Sequence, residues 1–287
     1  MKVDLVCRLE AQLGEGPVWL ADKQELWFVD IKLGRLHCHR PRQGGCATLD
    51  VGGQPSFIVP TDRDSLLVGS GGGIHELAGD RLGPALLQID QPAHNRTNDA
   101  TVDESGRLWF GTMDDREQES TGAVYCFDQG NLTRTHLEAV VTNGPAVCGS
   151  GDWLYHVDSG QRTIWRVPLN NGFLAGEGEP FVRLTDEEGY PDGVVVDSEN
   201  CLWVALWDGW GVRRYSPNGE LLCHIDVPCA RVTKVAFGGA DLRTAYVTTA
   251  RVGLNDEQLA KQPLAGSLFA FTAKAPGRML PPVRLPA

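Results

Sequence analysis

Leu108-Trp109-Phe110-Gly111-Thr112 follows directly on the turn-forming stretch Asp103-Glu104-Ser105-Gly106. A short aromatic and β-branched run bounded by turn residues reads as a strand, because it is too brief for a helix. The same pattern recurs at Leu26-Trp27-Phe28-Val29-Asp30, Leu66-Leu67-Val68-Gly69, Trp153-Leu154-Tyr155-His156-Val157-Asp158, Leu202-Trp203-Val204-Ala205 and Ala245-Tyr246-Val247-Thr248. A second run lies roughly ten residues after each one, as in Ala123-Val124-Tyr125-Cys126-Phe127 and Thr163-Ile164-Trp165-Arg166-Val167, and a third precedes each, as in Val194-Val195-Val196 and Val235-Ala236-Phe237. The chain is therefore six copies of a three-strand unit, repeating every 40–50 residues or so, which is roughly the length of a propeller blade.

The expected fold is all-β, a six-bladed β-propeller formed by residues 1–287 as one domain. A fourth, outer strand per blade fits the variable segments, for example Leu221-Leu222-Cys223-His224-Ile225. Leu5-Val6-Cys7-Arg8-Leu9 reads as one such strand displaced to the N-terminus, where it would close the ring against the last blade. A β-sandwich is the alternative, but its strands do not recur in six matched sets. No stretch shows sustained helical periodicity.

Acidic residues outnumber basic ones by 37 to 26, for a net charge of −11, which argues against nucleic acid or an anionic membrane as partner. The N-terminus carries charges where a signal peptide needs an apolar stretch, and no apolar run reaches the length of a membrane span. A cytoplasmic monomer or small homo-oligomer is expected. The eight cysteines are scattered without a CxxC pair, so they are expected to be free, mostly buried thiols.

In a propeller the innermost strand of each blade starts beside the central channel, so one residue per repeat faces a common volume. Those positions are Glu15, Gln54 or Ser56, Asn98, Asn143, Asp192, and Thr233 or Lys234, all polar, in strands that turn apolar within two residues. Burying several unpaired polar groups costs kilocalories unless they share a partner. Glu15, Asn143 and Asp192 form an all-oxygen set that suits Ca²⁺, Mg²⁺ or Mn²⁺ and also accommodates Zn²⁺ or Fe²⁺. A hydrogen-bonded polar plug explains the same spacing equally well.

Gly14-Glu15-Gly16-Pro17-Val18-Trp19, Arg96-Thr97-Asn98-Asp99, Gly111-Thr112-Met113, Asn143-Gly144 and Pro191-Asp192-Gly193 resemble, in order, the signature segments of the SMP-30/gluconolactonase family, which includes regucalcin. The stretch from Asn98 to Met113 and the segment around Trp203-Val204-Ala205-Leu206-Trp207 look most similar to bacterial pentono- and hexonolactonases. The resemblance implies one divalent metal ion held by Glu15, Asn143 and Asp192. It implies that Arg96 and Asn98 bind hydroxyl or ring oxygens of a small-molecule sugar lactone. Asp99 would bind metal-bound water or support the ligands from behind. An acid that contacts the sugar is expected after Gly-Thr-Met, but here that stretch reads Asp114-Asp115-Arg116-Glu117 and the choice stays open. If Arg116 faces the pocket, a phosphorylated or sulfonated sugar becomes a candidate.

The implied reaction is metal-assisted hydrolysis of an aldonolactone to the aldonic acid, with Asp192 as general base. Two alternatives stand beside it, a non-catalytic ligand-binding propeller and a phosphotriesterase-like hydrolase. Gly149-Ser150-Gly151 and Gly69-Ser70-Gly71 lack the spacing of a nucleophile elbow, and Gly71-Gly72-Gly73 has no following Lys-Ser/Thr. His37 and His39 share one face of a strand but have no further ligand nearby in sequence. Trp207 and Trp210 fall near the expected channel mouth, where packing and substrate stacking explain them equally.

Overall fold

The computed structural model describes residues 1–286. Six antiparallel sheets form the blades of a propeller, each led by an inner strand: Gly14–Leu20, Pro55–Pro60, Asn95–Val102, Thr142–Val147, Tyr190–Val196 and Val232–Gly238. These inner strands touch in cyclic order, the last meeting the first. Within and between blades the interior is filled by aromatic contacts. Phe57 meets Phe110 at 5.9 Å and Phe110 stacks on Tyr125 at 5.4 Å, while Trp203 meets Phe237 edge-on at 5.6 Å. A buried side chain of this kind contributes about 2–3 kcal/mol by removal from water.

The turns that lead from inner to second strands explain why the repeat was readable. In blade five, Asp197 Oδ1 accepts from the backbone N–H groups of Glu199 and Cys201, and its Oδ2 accepts from the Trp203 indole at 2.8 Å. Blade three repeats this with Asp103, Ser105, Arg107 and Trp109. One carboxylate thus both shapes the turn and satisfies the buried Trp N–H of the strand it introduces.

The ring closes where expected. Asp4–Cys7 pairs antiparallel with Leu268–Thr272, supplying the outer strand of blade six, and Leu221–Asp226 is the outer strand of blade five. Blade four carries an additional two-residue strand, Phe173–Leu174. One short α-helix, Asp256–Lys261, is capped by Asn255 and is too brief to leave a period in the sequence. No helix among the described residues is long and apolar enough to cross a membrane.

The expectation that every cysteine is free is corrected at this seam. Cys7 and Cys46 form a disulfide that ties the closing strand to Cys46–Asp50, the outer strand of blade one, while the other six cysteines are free. His39 lies against it, with Nδ1 3.6 Å from Cys7 Sγ and 2.7 Å from the Gly45 carbonyl, and His37 Nδ1 bonds Thr48 Oγ1 instead. Beyond the last blade the chain crosses the ends of the inner strands as a strap. Pro276 accepts from Ser198 N–H, Gly277 N–H bonds Leu242, Val283 bonds Pro60 and Arg284 N–H bonds Gly106.

Candidate active site

Each of the six inner strands breaks register with its neighbour near its start. The shifts fall between Glu15 and Val18, Pro55 and Phe57, Thr97 and Ala100, Asn143 and Ala146, Pro191 and Val194, and Val232 and Lys234. A bulge frees a residue from the ladder and re-aims its side chain. Repeated around the ring, it brings polar groups from four of the inner strands to one cavity. Gly16 serves this turn directly. Its φ of +52° is the left-handed region, and a Cβ there would approach Phe57 Cα at 3.0 Å.

Glu15, Arg96, Asn98, Asn143 and Asp192 all line one cavity of about 510 Å³, a size that suits a small molecule. Lys32, Glu117, Trp207 and Arg231 line it further out. Trp210 is exposed and lies outside it, which separates the two tryptophans that the sequence left equivalent. Asp99 sits deeper, beside Glu15 and Asp192, with Oδ1 bonded to Ala100 N–H at 2.7 Å and to the Lys234 ammonium.

Hydrogen bonding fixes which way the amides face. Asn98 Nδ2 donates to the Thr142 carbonyl at 2.7 Å and to Asn143 Oδ1 at 2.9 Å, and its Oδ1 accepts from Arg96 Nη1 at 2.7 Å. Asn143 Nδ2 donates to Ser159 Oγ, whose proton goes to the Pro191 carbonyl at 2.7 Å. Ser159 therefore only accepts from Asn143, so Asn143 presents its oxygen on the Asn98 side.

Electrostatically the floor is a crowded anion. Burial, then the neighbouring Asp99 charge, pushes Glu15 up to about 8, although Lys234 and the Gly16 N–H act against this. Burial and then Glu15 raise Asp192 well above the usual carboxylate range, and burial raises Asp99. Asp99 Oδ2 is buried without a hydrogen-bond partner. A cluster of buried carboxylate oxygens, one of them orphaned, plus an oriented amide oxygen, fits a hard divalent cation.

Among the acids after Met113, Glu117 lines the cavity, while the one that holds Arg96 is Asp115. It accepts from Arg96 Nε at 2.7 Å, Lys32 Nζ at 2.7 Å and Gln54 Nε2 at 3.0 Å. Burial opposes ionisation there, but these bonds outweigh it and hold Asp115 down to about 2. Asp114 points elsewhere and is held well below the usual range by the Arg116 guanidinium. Arg116 bonds Asp114 and Glu119 and does not line the cavity, so the route it offered to an anionic sugar is withdrawn.

A six-bladed ring with a polar, carboxylate-floored channel defines a propeller with a cavity of small-molecule size among its inner strands. The family description "SMP-30/Gluconolactonase/LRE-like region" matches residues 13–251, and the chain belongs to that family. It is 36% identical over 281 residues to a 6-deoxy-6-sulfogluconolactonase of Pseudomonas putida, covering 95% of each chain. It is 35% identical to a pentonolactonase of Haloferax volcanii, covering 96% of this chain and 94% of that one. A calcium-binding regucalcin from Agrobacterium tumefaciens superposes with a TM-score of 0.91 at 27% identity, over 99% of this chain and 98% of the other.

Proposed function

We propose that the cavity is the active site of a metal-dependent lactonase that opens a neutral pentono- or hexonolactone to its aldonic acid. Membership of a family of sugar lactonases makes the protein a lactone hydrolase. Glu15, Asn143 and Asp192 would hold one divalent cation, which supplies polarisation of the carbonyl and acidification of water. The observation that carries this reading is the convergence of those side chains, with an orphaned Asp99 oxygen, at the floor of a cavity of about 510 Å³.

The chain's own groups account for the rest. Arg96, held by Asp115 and Asn98, donates from Nη2 to hydroxyl or ring oxygens of the lactone, and Asn98, whose two amide hydrogens go to Thr142 and Asn143, accepts from a lactone hydroxyl on its Oδ1. Asp192 takes the proton of the attacking water on its carboxylate and returns it to the ring oxygen as the ester bond breaks. Neutrality of the sugar is supported by the pairing of the lining cations. Lys32 and Arg96 are committed to Asp115, and Arg231 to Asp208 at 3.1 Å while lying 4.8 Å over the Trp207 ring.

The test is a pH-indicator assay on metal-reconstituted protein with xylono-, arabinono-, galactono- and gluconolactone, plus 6-phospho- and 6-sulfogluconolactone, corrected for spontaneous opening. Turnover of the neutral lactones is expected. A strong preference for an anionic lactone overturns the neutral reading, and no turnover with metal bound moves the protein to ligand binding. Asp192→Ala should lose bound metal by elemental analysis and at least about a thousandfold in kcat, since it removes a ligand and the base together.

A further inference from the structure

We infer that Lys234 is a fixed counter-ion that sets the charge of the channel floor to match a divalent cation. The inference rests on cation binding at Glu15, Asn143 and Asp192. Lys234 is only 6% exposed, and its Nζ donates to Asp99 Oδ1 and, at 3.1 Å, to the Ala100 carbonyl. It does not line the active-site cavity. It borders instead a separate void of about 70 Å³ near Arg278, Met279 and Leu280 of the strap, so it stands as a partition between the two. A substrate in the cavity meets the carboxylates and not this ammonium.

Blade five makes room for the lysine stem. A Cβ on Gly193 would fall 2.6 Å from Lys234 Cγ, so the residue after Asp192 is one that lets the chain pass. The charge of Lys234 reaches Glu15 and Asp192 as well as Asp99, favouring the ionised form of each. With Glu15, Asp99 and Asp192 ionised to receive a cation, these three carboxylates and Lys234 leave a net of −2, and the charge of Arg96 beside Glu15 is offset by its partner Asp115. Asp99 Oδ2 has no partner even so, which means Lys234 neutralises Asp99 without saturating it. In a buried site each unit of charge weighs heavily, because water does not screen it.

The experiment reads the ratio of Tb³⁺ to Ca²⁺ association constants for metal-free protein, by terbium luminescence and calorimetry. Lys234→Met leaves the floor at −3 and should raise that ratio at least tenfold over wild type, with Lys234→Gln as the polar control. Asp99→Asn, with Lys234 kept, should move the ratio at least tenfold the other way. Lys234→Met with Asp99→Asn restores −2 and should return the wild-type ratio, a rescue that a purely structural lysine would not give. An unchanged ratio in a folded single variant, or a shift that persists in the double variant, overturns the inference. If both Lys234 variants fail to fold, an unchanged ratio in Asp99→Asn does so alone. Wild-type protein that binds neither ion overturns the metal reading itself, a separate and prior result.

Discussion

At the scale of single residues, the floor of the channel stores an electrostatic cost that a cation relieves. Glu15 is pushed up to about 8 when folded, against about 4.3 for a solvated glutamate. Between those values the folded, metal-free protein holds a proton that the unfolded chain has released, so stability must fall as pH rises through this window. Asp99 and Asp192, also raised, act with the same sign. Burial lowers His156, His37 and His224, which act with the opposite sign below about pH 6.5, so the melting temperature of chelator-treated protein should drop from pH 7 toward pH 8, and the slope should flatten once a divalent ion is added. A melting temperature that climbs over that range in the metal-free protein contradicts this. The polar identity of these positions was readable because they interrupt apolar strands at a fixed phase of the repeat. The partner of Arg96 was not, because Asp114, Asp115 and Glu117 are chemically alike and fall in and beyond a strand end, where the turn decides which one reaches it. Arg116 misled for a related reason: a guanidinium next to a site in sequence found Asp114 and Glu119 before it found the cavity.

At the scale of elements, the inner-strand bulges and the Asp-Trp turns perform opposite tasks at opposite ends of one strand. The bulge loosens the ladder beside the channel, and the turn locks the far end. Asp197→Ala would remove two backbone acceptor contacts, orphan the Trp203 indole N–H and strip the Arg214 guanidinium of a buried carboxylate. Losing a partner in a buried charged network costs about 3 kcal/mol, to be measured by urea denaturation. Asp197→Asn, which keeps the acceptor oxygen, should cost less. The strand words and turn residues were legible because their chemistry is local. The bulges were not, since a break in register depends on the neighbouring strand and leaves no fixed composition of its own.

At the scale of the whole molecule, closure depends on segments far apart in the chain. The disulfide between Cys7 and Cys46 spans a sequence separation of 39 and adds to that closure. A loop of this size corresponds to about 4 kcal/mol in the chain-entropy account, with measured values often smaller. Thiol titration of unfolded, unreduced protein should count six reactive cysteines, and reduction should lower the melting temperature. Eight reactive thiols without reductant would refute the pairing. Sequence spacing alone did not reveal this bond because Cys7 meets Cys46 only after the first strand has joined the last blade.

That same strand has a consequence for how the protein is made. Asp4 and Leu5 find their partners at Ala270 and Phe269, so a strand is matched by one that leaves the ribosome about 265 residues later. At about 5–20 residues per second, the wait is on the order of tens of seconds. Throughout it, the open side of blade one and the growing edge of the newest blade are both uncovered, in a partly built arc that translation alone lengthens. The strap from Pro276 onward follows still later and can bridge Ser198, Gly106 and Pro60 only once their blades stand in place. Synthesis therefore leaves both strand edges exposed until Leu268–Thr272 is released, and the ring can close only after that.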